Sequence, residues 1–435
     1  HVAKFAFDSD ESGLPYRVGV ILRWGKNSYR QATFAHQEDN NSRYVLLGDP
    51  AMRPAYPSLR ITIESINGKE VSETNKPEFQ ARQTLTFAGK VTDKKGQLID
   101  FNGPIIATLY DCEQSVLTHG WGSEGEEYAY LDRANKLAVK VDTVCNGKFS
   151  FKVTVPSEIL GTFDNYSPSL INLYAYDNSN PDAHKLNGGS LEAMGANSQF
   201  YIYGYDDTVE ADTIGPNIEM LVLNSTDFKD GDLVNESPLM MARVSDESGI
   251  NLSSSGIGHA ISITIDEKTS INDVSAYFSP INTATENGSA GDILYPLSNL
   301  EPGAHSLKLK VWDVFNNSST KSIQFTVING LKPELYDIYC DANPASTAAN
   351  FYVKHNRPDA TVTVGIDIYD LLGRLIWTET QTGRSDSGTS FPITWNLTDR
   401  NGTRVPRGIY IYRARISTDG IQEATKAKKI AVTAQ

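Results

Sequence analysis

Cys112 and His119 lie seven residues apart, and a thiol within reach of an imidazole that can take its proton is the kernel of a cysteine nucleophile. Gly120-Trp-Gly122 turns the chain between that histidine and Glu124. The same residues also make a plain hairpin connection with an unrelated histidine, and this is the reading we take. Cys112, Cys145 and Cys340 show no Cys-x-x-Cys spacing and fit neither a disulfide framework nor a zinc site. Cys112 and Cys145 share one expected domain, so pairing in an oxidising exterior stays open. Cys340 is then left over as a small buried or partly exposed thiol. The histidines are scattered singly, without the His-x-x-x-His spacing of zinc enzymes.

Carboxylates are the other candidates. Asp206, Asp207 and Asp212, or Asp246 with Asn251, or Asp313 with Asn316 and Asn317, offer the hard oxygen ligands that calcium takes at domain junctions. None follows the EF-hand spacing, and Asp and Asn are equally the residues that close turns. Nothing singles out a glycosidase pair among 53 Asp and Glu. Leu186-Asn-Gly-Gly-Ser190 reads as a loop rather than a phosphate cradle. The sequence thus assigns no catalytic, cofactor-binding or metal residue in this chain, with calcium the single cofactor kept in view.

These side chains sit in a sequence built for strands. Its 435 residues suit three or four domains. Thirty-three Gly, 19 Pro and 21 Tyr, with abundant Val, Ile and Thr, favour β structure over helix. A net charge of −14 without a long basic cluster argues against nucleic acid as a partner. No apolar run is long enough for a transmembrane segment. The chain begins at His1 without Met, in sequence that reads as structured, and is taken as a fragment or a processed piece.

Along the chain, Val18, Ile21, Leu22 and Trp24 recur at helical spacing after Pro15, predicting an amphipathic helix that ends near Asn27. Tyr44-Val-Leu-Leu47 before Gly48-Asp-Pro50 reads as a fully buried strand of an α/β sheet. Strand alternation then runs from Leu59 to about 207, where the polar stretch Asp206 to Pro216 reads as a linker. A second set of strands extends to about Gly330. In the last hundred residues Val362, Val364, Ile366 and Ile368 alternate, Leu371-Leu-Gly-Arg374 turns into Leu375-Ile-Trp377, and Asn401-Gly402 supplies a second turn before the strand opening at Gly408.

Three of these segments carry a family resemblance. Asn343-Pro344, Ile366-Asp-Ile-Tyr-Asp-Leu-Leu-Gly-Arg374, Ile393-Thr-Trp-Asn-Leu397 and Gly408-Ile-Tyr-Ile-Tyr-Arg413 resemble the C-terminal domain that marks proteins of the Bacteroidetes type IX secretion system. Tyr44-Val-Leu-Leu-Gly-Asp-Pro-Ala-Met-Arg-Pro-Ala-Tyr-Pro57 is similar to the end of a gingipain-type cysteine peptidase domain, where this strand closes a caspase-like sheet. Asp246-Glu-Ser-Gly-Ile-Asn251, Gly256-Ile-Gly-His259 and Trp312-Asp-Val-Phe-Asn-Asn317 resemble the immunoglobulin-like domain that follows the peptidase in type IX, PorU-like sortases. The order matches the family along nearly the whole chain, with 58–205 the least supported stretch.

The resemblance implies a mostly β fold: tandem immunoglobulin-like antiparallel β-sandwich domains preceded by the α/β C-terminal edge of a caspase-like peptidase domain. The expected divisions are 1–57 (peptidase end), 58–207 (β-sandwich), 208–330 (immunoglobulin-like sandwich) and 331–435 (type IX terminal domain). The family enzyme cleaves the C-terminal signal of exported cargo through a cysteine and passes the acyl group to an amine of anionic lipopolysaccharide. Before Gly48 this chain holds His1 and His36 but no cysteine, so the resemblance puts the nucleophile upstream of His1. It further implies a terminal domain retained as a dock on a PorV-like outer-membrane β-barrel, at the cell surface. The alternative is a secreted adhesin or cargo protein with a cleavable type IX signal, in which Tyr201, Tyr203 and Tyr205 contact sugar or host protein.

Overall fold

The computed structural model describes all residues except 1, 9, 11–14, 33–43, 55, 58, 121–124, 126, 165, 178–190, 211, 257, 283–287, 329–332, 358–359, 386–387, 419–420 and 434–435. His36 and the loop Leu186 to Ser190 therefore lie outside the described residues, as do Trp121, Gly122 and Glu124. The chain divides into two compact units, His1–Val209 and Glu210–Gln435. No helix among the described residues is long and apolar enough to cross a membrane.

The expected helix forms as Val18–Ala32, beginning later than Pro15 and running past Asn27. Its start is set by the turn around Gly48-Asp-Pro50. The Val18 N–H donates to the Met52 carbonyl at 2.8 Å and the Gly19 N–H to the Pro50 carbonyl at 3.0 Å, which satisfies two of the four donors a helix N-terminus leaves open. Trp24 packs between Phe5 and Tyr16, at ring separations of 5.7 and 4.6 Å. Phe5 belongs to a short helix, Val2–Ala6, that the sequence pattern did not reveal. The expected buried strand at Tyr44–Leu47 is corrected: Tyr44, Val45 and Leu47 are 68, 72 and 91% exposed, and these residues join no ladder among those described. A strand exists only where a neighbouring edge offers N–H and C=O groups, and no described strand of this unit does so here.

The first β domain is built on one eight-stranded mixed sheet, with two small two-stranded sheets beside it. Its strand order is Lys136–Val144, Gly103–Tyr110, Leu170–Asp177, Leu191–Asn197, Leu59–Ile66, Thr84–Thr92 and Lys148–Thr154, with Lys69–Glu70 paired to Leu59–Ile66. The two end strands are consecutive in the chain and lie side by side, joined through Cys145–Gly147. The core of this domain holds Leu85, Phe87, Phe101, Ile105, Leu109, Phe151 and Phe200, all nearly inaccessible, with Phe87 and Phe151 stacked at 5.6 Å. Leu59–Ile66 runs parallel to Leu191–Asn197, and Glu78–Ala81 runs parallel to Tyr201–Tyr205. In the second unit Leu233–Val234 is parallel to Ser318–Val327. These three pairings qualify the antiparallel expectation. Each joins strands distant in sequence, and alternation within a strand says nothing about the direction of its neighbour.

The second unit holds two sandwiches. In the first, the sheet Asn217–Leu223, Leu239–Asp246, Ser289–Pro296 and Phe278–Ile281 faces the sheet Leu233–Val234, Ser318–Val327, Gly303–Trp312, Ser262–Ile265 and Thr269–Ile271. The terminal sandwich pairs Leu335–Cys340, Ala349–His355 and Ile393–Trp395 with Leu375–Arg384, Thr361–Tyr369, Gly408–Thr418 and Ile421–Val432. Val362, Val364, Ile366 and Ile368 are fully buried, as their alternation predicts. Tyr410 and Tyr412 turn inward from the next strand, while Ile409 is half exposed. Trp395 sits at the centre of this core and donates its indole N–H to the Thr398 carbonyl at 2.8 Å, satisfying the polar end of a buried aromatic.

Candidate functional site

Among the sulfur candidates the structure finds no poised nucleophile. Cys112, Cys145 and Cys340 are free thiols, so the pairing left open between Cys112 and Cys145 does not form. Cys112 is 4% exposed, and burial, reinforced by the adjoining Asp111 carboxylate, pushes its thiol up to about 11. A nucleophilic cysteine needs the opposite shift. His119 stands exposed beyond the strand Gln114–Leu117, as the plain hairpin reading requires. Asp111 has a structural duty: its Oδ2 accepts from Asn135 Nδ2 at 2.9 Å and from the Leu160 N–H at 2.7 Å. Cys145 is exposed at its turn, and Cys340 is half-buried with its thiol directed at the Ala342 carbonyl at 3.5 Å.

Among the carboxylates the structure takes one member from each expected group. Asp212, Asp246 and Asp313 place carboxylate oxygens within 4.8 Å of one another. Asp212 precedes the strand Asn217–Leu223, Asp246 ends the strand Leu239–Asp246, and Asp313 follows Gly303–Trp312. Each also closes its own loop. Asp246 Oδ1 accepts from the Ser248 and Gly249 N–H groups, both at 2.8 Å, and Asp313 Oδ1 accepts from Phe315 and Asn317 at 2.9 and 2.7 Å. Asp212 Oδ1 accepts from the Ile214 N–H at 2.9 Å, and its Oδ2 from the Ser248 hydroxyl at 2.5 Å. Asn317 Nδ2 ties two of the loops together, reaching Asp313 Oδ2 at 2.7 Å and the Asp212 carbonyl at 2.9 Å.

The electrostatics follow from that crowding. Burial, with the Asp313 and Asp212 charges adding to it, pushes the Asp246 carboxyl up to about 7. Burial also raises Asp313, whereas the Ser248 hydroxyl holds Asp212 below the ordinary range. Like charges this close favour a shared proton, and the same oxygens have the hardness that a divalent cation prefers. Asp206 is not part of the group: it accepts from Gln83 Nε2 at 2.8 Å and from Thr208. Asn251 turns its Oδ1 to the Ser253 N–H at 2.9 Å. Sequence reasoning missed Ser248, whose place two residues after Asp246 in a turn was the available signal.

The terminal sandwich carries a different charged centre. Asp367, 4% exposed, meets Arg413 Nη2 at 2.8 Å, Arg415 Nε at 3.2 Å and the Thr378 hydroxyl at 2.7 Å. Although burial opposes ionisation, the hydrogen bonds from Arg413 and Thr378 and the two arginine charges hold this carboxyl below its usual range. At the end of the same strand, the Asp-Leu-Leu-Gly-Arg motif is a built turn. Asp370 Oδ1 accepts from the Leu372 and Arg374 N–H groups at 3.0 and 2.9 Å, and Gly373 takes a φ of +80° that glycine adopts without steric cost.

Comparisons with protein-family models and with curated proteins give no match. Among solved structures, dimeric latent PorU from Porphyromonas gingivalis is 29% identical and aligns with 99% of this chain and 39% of its own, at a TM-score of 0.42. A tetra-tandem repeat from the extending region of a large adhesion protein is 13% identical, covering 87% of this chain and 75% of its own, at a TM-score of 0.21. The Bacteroides ovatus mixed-linkage glucan utilization locus protein SGBP-B is 12% identical, covering 86% of this chain and 71% of its own, at a TM-score of 0.22. This chain is therefore similar to PorU along nearly its whole length, while spanning 39% of the length of that structure.

Proposed function

We propose that these residues are the C-terminal portion of a PorU-like cell-surface sortase of type IX secretion, supplying its β scaffold and its outer-membrane dock. The observation that supports the reading is the terminal sandwich, where the segments 366–374, 393–397 and 408–413 that resemble the type IX domain build the turn and the core. Asp370 and Gly373 make the hairpin turn, Trp395 and Leu397 fill the core, and Tyr410 and Tyr412 line it from the adjoining strand. The Tyr44 to Pro57 motif and the 208–330 motifs support the same reading in the same order.

In the complete enzyme a cysteine thiolate lying N-terminal of this chain attacks the peptide bond that precedes the cargo's C-terminal signal. The signal peptide leaves with the proton as its new amine, and the thioester acyl group passes to an amine of anionic lipopolysaccharide, regenerating the thiol. The cysteines of this chain stand outside that reaction. The terminal domain stays on the protein and docks on a PorV-like β-barrel, which holds the sortase at the outer membrane where exported cargo emerges.

A second reading, an adhesin or cargo protein with a cleavable terminal signal, draws on one observation. Phe163, Tyr166 and Tyr203 form an aromatic cluster on the first β domain, with Tyr166 stacked on Tyr203 at 4.3 Å and Phe163 65% exposed. Deleting the gene in the source bacterium separates the two. Under the sortase reading, exported cargo keeps its C-terminal signal and loses its lipopolysaccharide; cargo processed as before supports the adhesin or cargo reading instead.

A further inference from the structure

The Asp-Leu-Leu-Gly-Arg turn contains two residues that the turn does not need. Its geometry is met by Asp370, whose carboxylate collects two N–H groups, and by Gly373 with its positive φ. Leu371 and Leu372 contribute no turn bond through their side chains and are 65 and 81% exposed. Among the described residues of 331–435, the large apolar side chains that are exposed are these two and Ile409, at 50%. All three lie at one end of the sandwich, because Tyr369 pairs with Ile411 across the sheet and the chain continues outward from that pair to Leu371 on one strand and back to Ile409 on the other.

The same end is basic. Arg374 closes the turn, the Arg400 N–H bonds the Ile376 carbonyl beside it, Arg404 reaches the Ser346 carbonyl, and Arg407 immediately precedes the strand that carries Ile409. All four are exposed. Three carboxylates share this end: Asp370 binds its own turn and the Arg374 guanidinium at 2.6 Å, Asp399 the Asn401 and Thr403 N–H groups, and Asp341 Asn350, which leaves the four arginines in excess by one. Residues 331–435 hold 13 Lys and Arg against 11 Asp and Glu, in a chain that holds 39 against 53 overall. The terminal domain thus carries a small net positive charge within an acidic protein.

We infer that this end of the terminal sandwich docks on an anionic lipid surface, with Leu371, Leu372 and Ile409 entering the apolar boundary and the arginines among the headgroups. A tip of three aliphatic side chains is small beside the roughly 20–30 residues a side of a stable protein interface, whereas a few apolar residues ringed by cations suit a membrane boundary. The inference uses only the surface of the terminal domain, so it stands apart from the sortase reading and from the proposed barrel partner.

The test is co-sedimentation of the full chain with vesicles of phosphatidylcholine alone and of phosphatidylcholine mixed equally with phosphatidylglycerol, at low and high salt. Binding to the mixed vesicles is expected, weakened by salt, and weakened about tenfold or more in a Leu371→Ser, Leu372→Ser double variant, since each loses the burial of a leucine side chain. The turn bonds do not use these side chains, and circular dichroism checks that the variant folds. An Arg400→Gln, Arg407→Gln variant should lose binding to the mixed vesicles as high salt does. Equal binding by the leucine variant and the wild type overturns the inference. So does wild-type binding that appears only when the vesicles carry extracted outer-membrane proteins, which would assign the tip to a protein partner.

Discussion

Replacing Asp246 with Asn should stabilise the second unit at neutral and higher pH and do little in acid. The folded protein holds this carboxyl protonated up to about 7, against 3.8 for an ordinary aspartate. Below the lower value folded and unfolded states are both protonated, and the group contributes nothing to the balance. Between the two values the folded state keeps the proton that the unfolded state releases, so stability falls as pH rises through this window and stays reduced above it. Taken at face value that interval corresponds to about 4 kcal/mol. Because the side chain is only partly buried and water screens it, about 2 kcal/mol is the working figure. Asn keeps the Oδ1 acceptor for the Ser248 and Gly249 N–H groups while removing the charge that faces Asp212 and Asp313. Urea unfolding of the wild type and D246N, with chelator present so that no cation neutralises the cluster, measures the difference at acid and alkaline pH. An advantage for D246N that grows through this window is the expected result. A constant difference, or a wild type whose disadvantage shrinks as pH rises, refutes the reasoning.

Asp367 should behave in the opposite sense. Its carboxyl is held below the ordinary range, so its stabilisation is present above that range and lost as pH falls through its folded value. Asp367→Asn strands two arginines whose side chains are 44 and 26% exposed, and a loss of about 2–3 kcal/mol is expected, under the 3–5 kcal/mol of a fully buried pair; thermal unfolding of the terminal domain measures it. Thiol labelling should order the cysteines by exposure and ionisation. Cys145 should react in the native protein and Cys112 only after unfolding, and fast native labelling of Cys112 would contradict the buried, raised thiol described above.

The parts of the fold that were legible in sequence are those fixed by neighbours along the chain. The inward set from Val362 to Ile368 and the turns at Asp370 and Asp399 are local patterns, and the structure reproduces them. The helix at Val18–Ala32 was visible in its spacing, but its start depends on carbonyls of Pro50 and Met52 that sequence does not bring beside it. Tyr44 to Leu47 has the composition of a buried strand, yet composition does not supply a pairing edge, and the segment stays exposed. The carboxylate cluster shows the same limit. Asp212, Asp246 and Asp313 each looked like a member of a local group, and only the sandwich topology selects one from each. Asp367 drew no notice in a strand of alternating Val and Ile, because its arginine partners arrive from a strand more than forty residues later.

The central claim, that the terminal domain is a permanent dock on a cell-surface sortase rather than a disposable export signal, is tested most directly by peptide mapping of the mature protein from native surface material. Cleavage after Arg415 and Lys426 releases the peptide spanning residues 416–426, Ile-Ser-Thr-Asp-Gly-Ile-Gln-Glu-Ala-Thr-Lys. The account predicts that this peptide is recovered at the same abundance as peptides from residues 58–330. Its absence, with a new C-terminus at or before about residue 331, would contradict the account and make the chain a cargo of the system it resembles.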